Sequence, residues 1–185
     1  MATSRQLSKE ELAQGLDIVS QSPKGEGVLQ LIVRRPDVDQ RESVAKGHLD
    51  IREGLVGDSW RARGSGHMPD GQADPDMQLN IMNSRVAELV ANGLERRELA
   101  GDQLYLDMDL SRENLPPGTQ LALGEAIIEV TEPPHTGCKK FAARFGTEAM
   151  VFVNSGMGKT RNFRGICAKV VQSGDIRVGD VARKV

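Results

Sequence analysis

The sequence predicts a mixed, mainly β fold, either a barrel or a sandwich, with a few short helices. The chain holds 20 glycines and 8 prolines in 185 residues, and so many turn formers favour many short strands over long helices. Leu104, Leu106, Met108 and Leu110 alternate with polar positions, as a half-buried strand does. This length suits a single domain with a substantial core.

The N-terminal part begins with a helix and a strand. Ser8 and Glu11 form a capping-box pattern that predicts a helix over residues 8–19. Residues 28–33 are apolar and β-branched, which predicts a buried strand that ends at Pro36. Residues 37–75 are polar and rich in glycine. We expect a long loop there that either covers a site or is mobile.

The remaining elements follow the same reasoning. We expect strands near residues 77–81, 104–110, 121–123, 127–130, 166–171 and 176–185, and short helices near residues 86–90, 138–145 and 148–153. We expect residues 1–46 to supply a helix and first strand that pack on or lead into a main domain over residues 47–185.

Charge and hydropathy exclude several classes of protein. The 24 basic and 26 acidic residues give a net charge of -2, which argues against a dedicated nucleic-acid binder. No apolar run approaches the roughly 20 residues of a membrane span, and the first residues are too polar for a signal peptide. We therefore expect a cytoplasmic protein with no nucleic-acid or membrane partner.

Two familiar motifs are incomplete. His135 and Cys138 have zinc-like spacing, but the chain has only 2 cysteines and lacks a second ligand pair. Residues 158–160 read Gly-Lys-Thr, like the end of a phosphate-binding loop, yet Val153 stands where that motif needs glycine. We expect a plain turn there.

The most suggestive residue is Cys138. It follows two prolines, His135, Thr136 and a glycine, at the predicted start of a helix, and Lys139 and Lys140 come next. Free backbone amides and nearby cations stabilise a thiolate, so we expect a lowered thiol pKa and a nucleophile or metal ligand. The alternative is a buried, inert cysteine. Cys167 lies in an alternating strand and is expected to serve packing.

Basic residues are concentrated around this cysteine. Residues 135–170 contain Lys139, Lys140, Arg144, Lys159, Arg161, Arg164 and Lys169 with a single acid, Glu148. An anionic ligand near Cys138 would suit this distribution. The alternative is that these bases lie on solvated faces and pair with the acids of residues 98–132.

Several segments together resemble the MOSC domain, the module named after the C-terminal part of molybdenum cofactor sulfurases. They are Gly-Leu-Val-Gly-Asp at 54–58, Gly-Asp-Gln-Leu at 101–104, the stretch 123–131, the isolated Cys138, the stretch 164–170, and Gly174 through Asp180. The resemblance covers roughly residues 47–185.

The resemblance implies a strand-rich β-barrel that binds the pterin-based molybdenum cofactor. It assigns to Cys138 the carrying of sulfur or the coordination of the metal. The cofactor has a phosphate, so the candidates for binding the cofactor are the side chains that flank this cysteine: His135, Thr136, Lys139, Lys140, Arg144, Lys159, Arg161 and Arg164. Arg52, Asp58, Trp60 and Arg61 are candidates for a lid.

The resemblance also implies partners. The chain has no pyridoxal-phosphate desulfurase domain, so sulfur would come from a separate cysteine desulfurase. Some stand-alone relatives reduce N-hydroxylated compounds, and such a reaction on a small-molecule substrate needs a separate electron-donor protein. Two alternatives remain open: a non-catalytic carrier or chaperone of the cofactor, and a structural barrel with an inert cysteine.

Overall fold

A computed structural model describes residues 5–66 and 68–185. The helices are α1 (Lys9–Gln14), α2 (Leu16–Ser20), α3 (Trp60–Arg63), α4 (Ser84–Ala91), α5 (Lys139–Phe145), α6 (Thr147–Asn154) and α7 (Gly156–Thr160). The strands are β1 (Glu26–Arg34), β2 (Glu42–Val44), β3 (Lys46–Asp50), β4 (Gly54–Leu55), β5 (Leu79–Asn83), β6 (Leu104–Asp107), β7 (Gln120–Leu123), β8 (Ala126–Pro134), β9 (Ile166–Gln172), β10 (Gly174–Arg177) and β11 (Val181–Lys184).

Seven of the strands in the described ranges close into a barrel in the order β11, β7, β8, β9, β5, β6 and β1. Pairing of β1 with β11 completes the ring, and β2 extends β1 on the outside. The only parallel pair described is β5 with β6, which α4 connects. A smaller sheet of β10, β3 and β4 packs beside the barrel. The predicted mainly β barrel is therefore confirmed.

Strand alternation separates two apolar cores. Ile32 of β1 and Ile81 of β5 belong to the core inside the barrel, whereas their neighbours Val33 and Met82 belong to a second core between barrel and helices. The second core also holds Phe141 of α5. Successive side chains on a strand point to opposite faces, so one strand serves both cores. The helices are thereby fixed against the outer wall.

The structure corrects three local predictions. The predicted helix over residues 8–19 is divided at Gly15, where a Cβ atom would lie 2.3 Å from Leu89. Residues 37–75 contain β2, β3, β4 and α3. These elements are short and polar, and β3 pairs with the distant β10, so no local signal marks them. Gly-Lys-Thr at 158–160 belongs to α7, whose first turn is capped by Ser155.

The N-terminal segment joins the barrel directly. Its strand β1 pairs with both β6 and β11. The separation of residues 1–46 from the main domain stays a prediction. No helix in the described part of the chain is both long and apolar enough to cross a membrane.

Candidate functional site around Cys138

Cys138 lies at the surface where β8 leads into α5. It is the N-cap residue of α5, with extended backbone angles (φ -114°, ψ 179°), and its thiol is free and exposed. The N-cap position places it beside the unpaired amide groups of the first helical turn. The thiol is therefore accessible to a ligand or partner.

Asn154 clamps the backbone immediately before Cys138. Its Oδ1 accepts a hydrogen bond from the Gly137 amide at 2.9 Å, and its Nδ2 donates to the Gly137 carbonyl at 2.9 Å. A Cβ atom on Gly137 would lie 3.0 Å from Val153 and 3.2 Å from Asn154, so glycine permits this close approach. The second bond fixes the peptide plane that joins Gly137 to Cys138.

Cys167 has the opposite environment. It is buried in β9, and its sulfur accepts a hydrogen bond from Asn80 Nδ2 at 3.5 Å. Burial, together with the nearby Asp102 carboxyl, raises the pKa of the Cys167 thiol to about 12. Its thiolate is therefore scarce at neutral pH, consistent with the predicted packing role.

A cavity of about 480 Å³ on one side of this region is lined by basic residues, and we call it the basic pocket. Its cations are Arg35, Arg41, Arg63 and Lys140, and its acids are Asp37 and Asp39. Lys140 belongs to α5, two residues after Cys138. The helix that Cys138 caps therefore also supplies a wall of the basic pocket.

The basic pocket carries more positive charge than its own acids neutralise. Arg35 is paired with Asp58 at 2.8 Å, and Asp39 with Arg144 at 2.8 Å. Arg41, Arg63 and Lys140 then face the single remaining acid, Asp37. The surplus is about two charges, which suits a doubly charged anion.

Arg41 is a lining residue of the basic pocket whose charge is poorly compensated within the protein. Its Nε is buried without a hydrogen-bond partner among the described residues. Burial lowers the pKa of Arg41, and repulsion from Arg144 and Arg35 lowers it further. An anion in the basic pocket would offer Arg41 Nε an acceptor and would offset the repulsion from the neighbouring arginines.

Two buried ion pairs lie close to the basic pocket in the chain's folded structure, and Arg35 of the first pair lines the pocket. Arg35 binds Asp58 through Nε and Nη2 and donates from Nη1 to the Gly101 carbonyl at 2.9 Å. Arg164 donates from Nη1 to both Asp102 oxygens, at 2.9 and 2.7 Å, and from Nη2 to Ala100. These side chains hold residues 100–102, and with them the barrel end, in one position.

His135 joins the second pair. Its Nδ1 lies 3.3 Å from an Asp102 oxygen and 3.5 Å from Arg164 Nη1. Burial lowers the pKa of His135 well below its ordinary value, and the charges of Arg164 and Arg35 act in the same direction. Burial raises the pKa of Asp102, while Arg164 opposes that shift. The imidazole is therefore neutral at physiological pH.

A second cavity, of about 390 Å³, has His135 and Thr136 in its wall, and we call it the His135 cavity. Cys167 and Lys159 also line it. It shares no described lining residue with the basic pocket. The chain from Thr136 to Lys140, which includes Cys138, thus passes from one cavity to the other.

Other predicted site residues lie elsewhere. Lys139 is exposed, and neither cavity has it in its wall. Arg161 donates to Ser20 Oγ at 2.8 Å and lines a different, smaller cavity. Arg164 and Arg144 are engaged by the acids described above.

The four predicted lid residues are absent from the walls of both cavities. Asp58 is buried against Arg35, Trp60 is buried, and Arg61 is paired with Glu53. Arg52 is exposed. The segment nevertheless borders the basic pocket through Ser59, Ala62 and Arg63.

Sequence reasoning missed Arg35, Arg41 and Arg63, which lie far from Cys138 in the chain. Arg35 lies between the end of β1 and Pro36. A charged residue at the end of a buried strand could have marked it as a candidate site residue. Arg41 and Arg63 lie in the segment expected to be a loop, and their sequence neighbours gave no indication of the pocket.

Solved structures with the same fold are recognisable at low sequence identity. A structure titled a hypothetical protein has 21% identity and a TM-score of 0.58, covering 88% of this chain and 68% of that chain. The YuaD protein from Bacillus subtilis has 16% identity and a TM-score of 0.57, covering 85% and 94%. YiiM from Escherichia coli has 21% identity and a TM-score of 0.55, covering 85% and 69%. These likenesses show the fold.

No curated protein matches the chain. A sequence model of the MOSC domain, however, matches residues 69–183, which is more than half of the chain and includes Cys138 and its clamp residue Asn154. The barrel, the order of its strands and this match agree, and the chain belongs to the MOSC domain family.

Proposed function

We propose that this protein binds a pterin-based molybdenum cofactor, with the Cys138 sulfur at the metal and the cofactor phosphate in the basic pocket. The observation that carries the proposal is the joint placement of an exposed thiol and a pocket with about two surplus positive charges on one short helix and its N-cap. The phosphate of such a cofactor carries a matching negative charge.

The side chains present fit this group. Arg41, with its unpaired Nε, and Lys140 and Arg63, without acidic partners in the described residues, would bind the phosphate. Cys138 is a soft sulfur ligand of the kind that a cofactor metal accepts. Among the described residues no group of three His, Cys, Asp or Glu side chains forms a metal site by itself. In this proposal the protein therefore gives the metal one ligand.

When bound, the cofactor would supply the redox chemistry of molybdenum. Cys138 would either ligate the metal or carry a sulfane sulfur, delivered by a separate cysteine desulfurase, as a persulfide. Asn154 would hold the backbone that carries the thiol in place, because it fixes the peptide bond before Cys138. For reduction of a small N-hydroxylated substrate, two electrons from a separate donor protein and two protons would convert the N–OH group to N–H and water.

The test is expression in cells that make the cofactor, followed by elemental analysis of the purified chain. We expect molybdenum in the wild type and a loss of most of it in Cys138→Ala. Cys167→Ala is the matched control, because it removes a buried cysteine and should keep the metal. Equal molybdenum in wild type and Cys138→Ala would show that Cys138 is not a ligand.

Mass spectrometry separates the two roles of the sulfur. After incubation with a cysteine desulfurase and cysteine, the carrier role predicts an added sulfur atom on Cys138 and none on Cys167. Ligation without sulfur transfer predicts bound molybdenum and an unmodified Cys138. A protein that binds the cofactor yet reduces no N-hydroxylated compound with an artificial electron donor would be a carrier.

A further inference from the structure

The His135 cavity has a composition unlike that of the basic pocket. Its wall includes the apolar side chains of Leu115, Val130, Val153 and Ile166. A volume of about 390 Å³ with apolar walls is within the range of small-molecule sites. It can therefore enclose the apolar body of a compact organic molecule.

The charged side chains that line this cavity have a net charge of one positive unit. Arg112 donates to both oxygens of Glu132, at 3.1 and 3.0 Å, so these two lining residues neutralise each other. The remaining lining cation, Lys159, has no acidic partner among the described residues. A ligand with a single negative charge would complete the balance.

The inner polar group is His135. Its Nδ1 lies between the Asp102 carboxyl, at 3.3 Å, and Arg164 Nη1, at 3.5 Å, and burial keeps the ring neutral. Because the buried Arg164 also lies against the ring, the imidazole is held in place. His135 thus offers a neutral polar contact, distinct from the charged contact at Lys159.

The cavity adjoins the reactive segment. Thr136 lines it, and Val153, also in its wall, lies against Gly137. Gly137 is bonded to Cys138 and is clamped by Asn154. A molecule in the His135 cavity would therefore contact Thr136, two residues before Cys138, although Cys138 itself does not line the cavity.

We propose that the His135 cavity is the substrate site and that it takes compact monoanions with an apolar body, the acid group at Lys159 and a hydrogen-bonding group at His135. This inference rests on the proposed function, because it makes the ligand the substrate of the chemistry at Cys138. Binding itself requires no cofactor, so it can be measured on the chain alone.

The test compares three probes that share one ring system and differ in charge: 2-naphthoate, 2-naphthamide and 2-naphthylmethylammonium. Their dissociation constants are measured by calorimetry on the cofactor-free protein. We expect naphthoate to bind up to about fivefold more tightly than the neutral amide, the upper end for one exposed ion pair, and the cation to bind most weakly. Amide NMR shifts should concentrate at Thr136, Lys159 and Ile166.

Charge variants sharpen the test. Lys159→Gln should remove the preference for naphthoate over naphthamide, and Lys159→Glu should reverse the order of the two charged probes. Lys9→Gln is the control, because Lys9 borders an apolar groove between α1 and α6 that could also bind a naphthalene ring. If the three probes bind equally, if none binds at millimolar concentration, or if the shifts lie at that groove, the inference is wrong.

Cys138→Ala separates this inference from the proposed function. It should lower the molybdenum content while leaving the naphthoate affinity unchanged. Normal molybdenum binding without selective naphthoate binding overturns the substrate site alone. Selective naphthoate binding with no molybdenum in the wild type overturns the cofactor assignment and leaves a site for anions.

Discussion

The paired arginines beneath the site and the unpaired cations of the basic pocket differ in what neutralises them. Arg35 and Arg164 are buried, and each is matched by a buried carboxylate, Asp58 or Asp102. Arg41 has an unpaired Nε and a pKa lowered by burial and by its arginine neighbours. Carboxylates within the protein neutralise the first group, although Arg164 Nε, like Arg41 Nε, has no hydrogen-bond partner among the described residues. In our proposal an external anion neutralises the second group. A count of the basic residues near Cys138 therefore cannot identify those that bind an anion, because a base already paired with a carboxylate is not available to do so.

The largest expected effect is the loss of a buried pair. Asp102→Ala leaves the buried Arg164 guanidinium without its carboxylate, and breaking such a pair costs about 3–5 kcal/mol. Chemical denaturation should show a fall of that size in the free energy of unfolding. Glu132→Ala, which breaks the exposed pair with Arg112, is the control and should cost less than ~1 kcal/mol. Similar losses in the two variants would contradict the claim that the buried pair stabilises the fold more than an exposed pair does.

The clamp before Cys138 should give the next effect. Asn154→Ala removes both hydrogen bonds to Gly137, and we expect a loss of about 1–3 kcal/mol. The rate of Cys138 alkylation by iodoacetamide should change as well, since the cysteine is no longer fixed. Gln172→Ala, which removes one exposed bond to Glu125, is the control for both measurements. An unchanged alkylation rate would mean that Asn154 stabilises the fold without positioning the thiol.

The pH dependence of stability tests the buried network. His135 stays neutral in the folded protein because its pKa is lowered, whereas in the unfolded chain it takes up a proton below about pH 6.5. Its contribution is therefore lost as pH falls below that value, by about 1.4 kcal/mol per pH unit. Between pH 7 and 5, His135→Gln should lose less stability than the wild type. Gln172→Ala, which changes an exposed side chain that does not titrate, should follow the wild type. Parallel curves for wild type and His135→Gln would show that folding does not lower the pKa of this histidine.

The smallest effect is expected in the basic pocket. Arg41→Gln removes one surplus cation from among like charges, so the free energy of unfolding should change by less than ~1 kcal/mol and should not fall. Thermal or chemical denaturation in phosphate-free buffer is the measurement, and Arg61→Gln, outside the pocket, is the control. A loss as large as that of Asp102→Ala would place Arg41 among the structural arginines.

Local signals in the sequence predicted much of the barrel and of the Cys138 segment. The capping box at Ser8, the alternation in β6 and the helix after Cys138 depend on neighbouring residues, so they could be recognised. The pairs Arg35–Asp58 and Arg164–Asp102 join residues that are 23 and 62 positions apart. Only the folded chain brings these residues together, and so Arg164 was expected to bind a ligand although it is already paired with Asp102.

The segment of residues 37–75 failed as a prediction for the same reason. Its strand β3 pairs with β10, more than a hundred residues later, and its polar sequence reads as loop. Because Arg41 and Arg63 lie in this segment, the basic pocket was predicted only through Lys140. Both the missed strands and the missed pocket residues therefore depend on contacts between residues that are far apart in the sequence.

The central claim is that the unpaired cations of the basic pocket hold the phosphate of the cofactor. The most direct measurement is the pterin content per chain, read by fluorescence after oxidation, of proteins purified from cofactor-producing cells. We predict pterin in the wild type and in Arg61→Gln, and a loss of most of it in the double variant Arg41→Gln/Lys140→Gln. Equal pterin in the double variant and the wild type, or none in the wild type, would contradict the account.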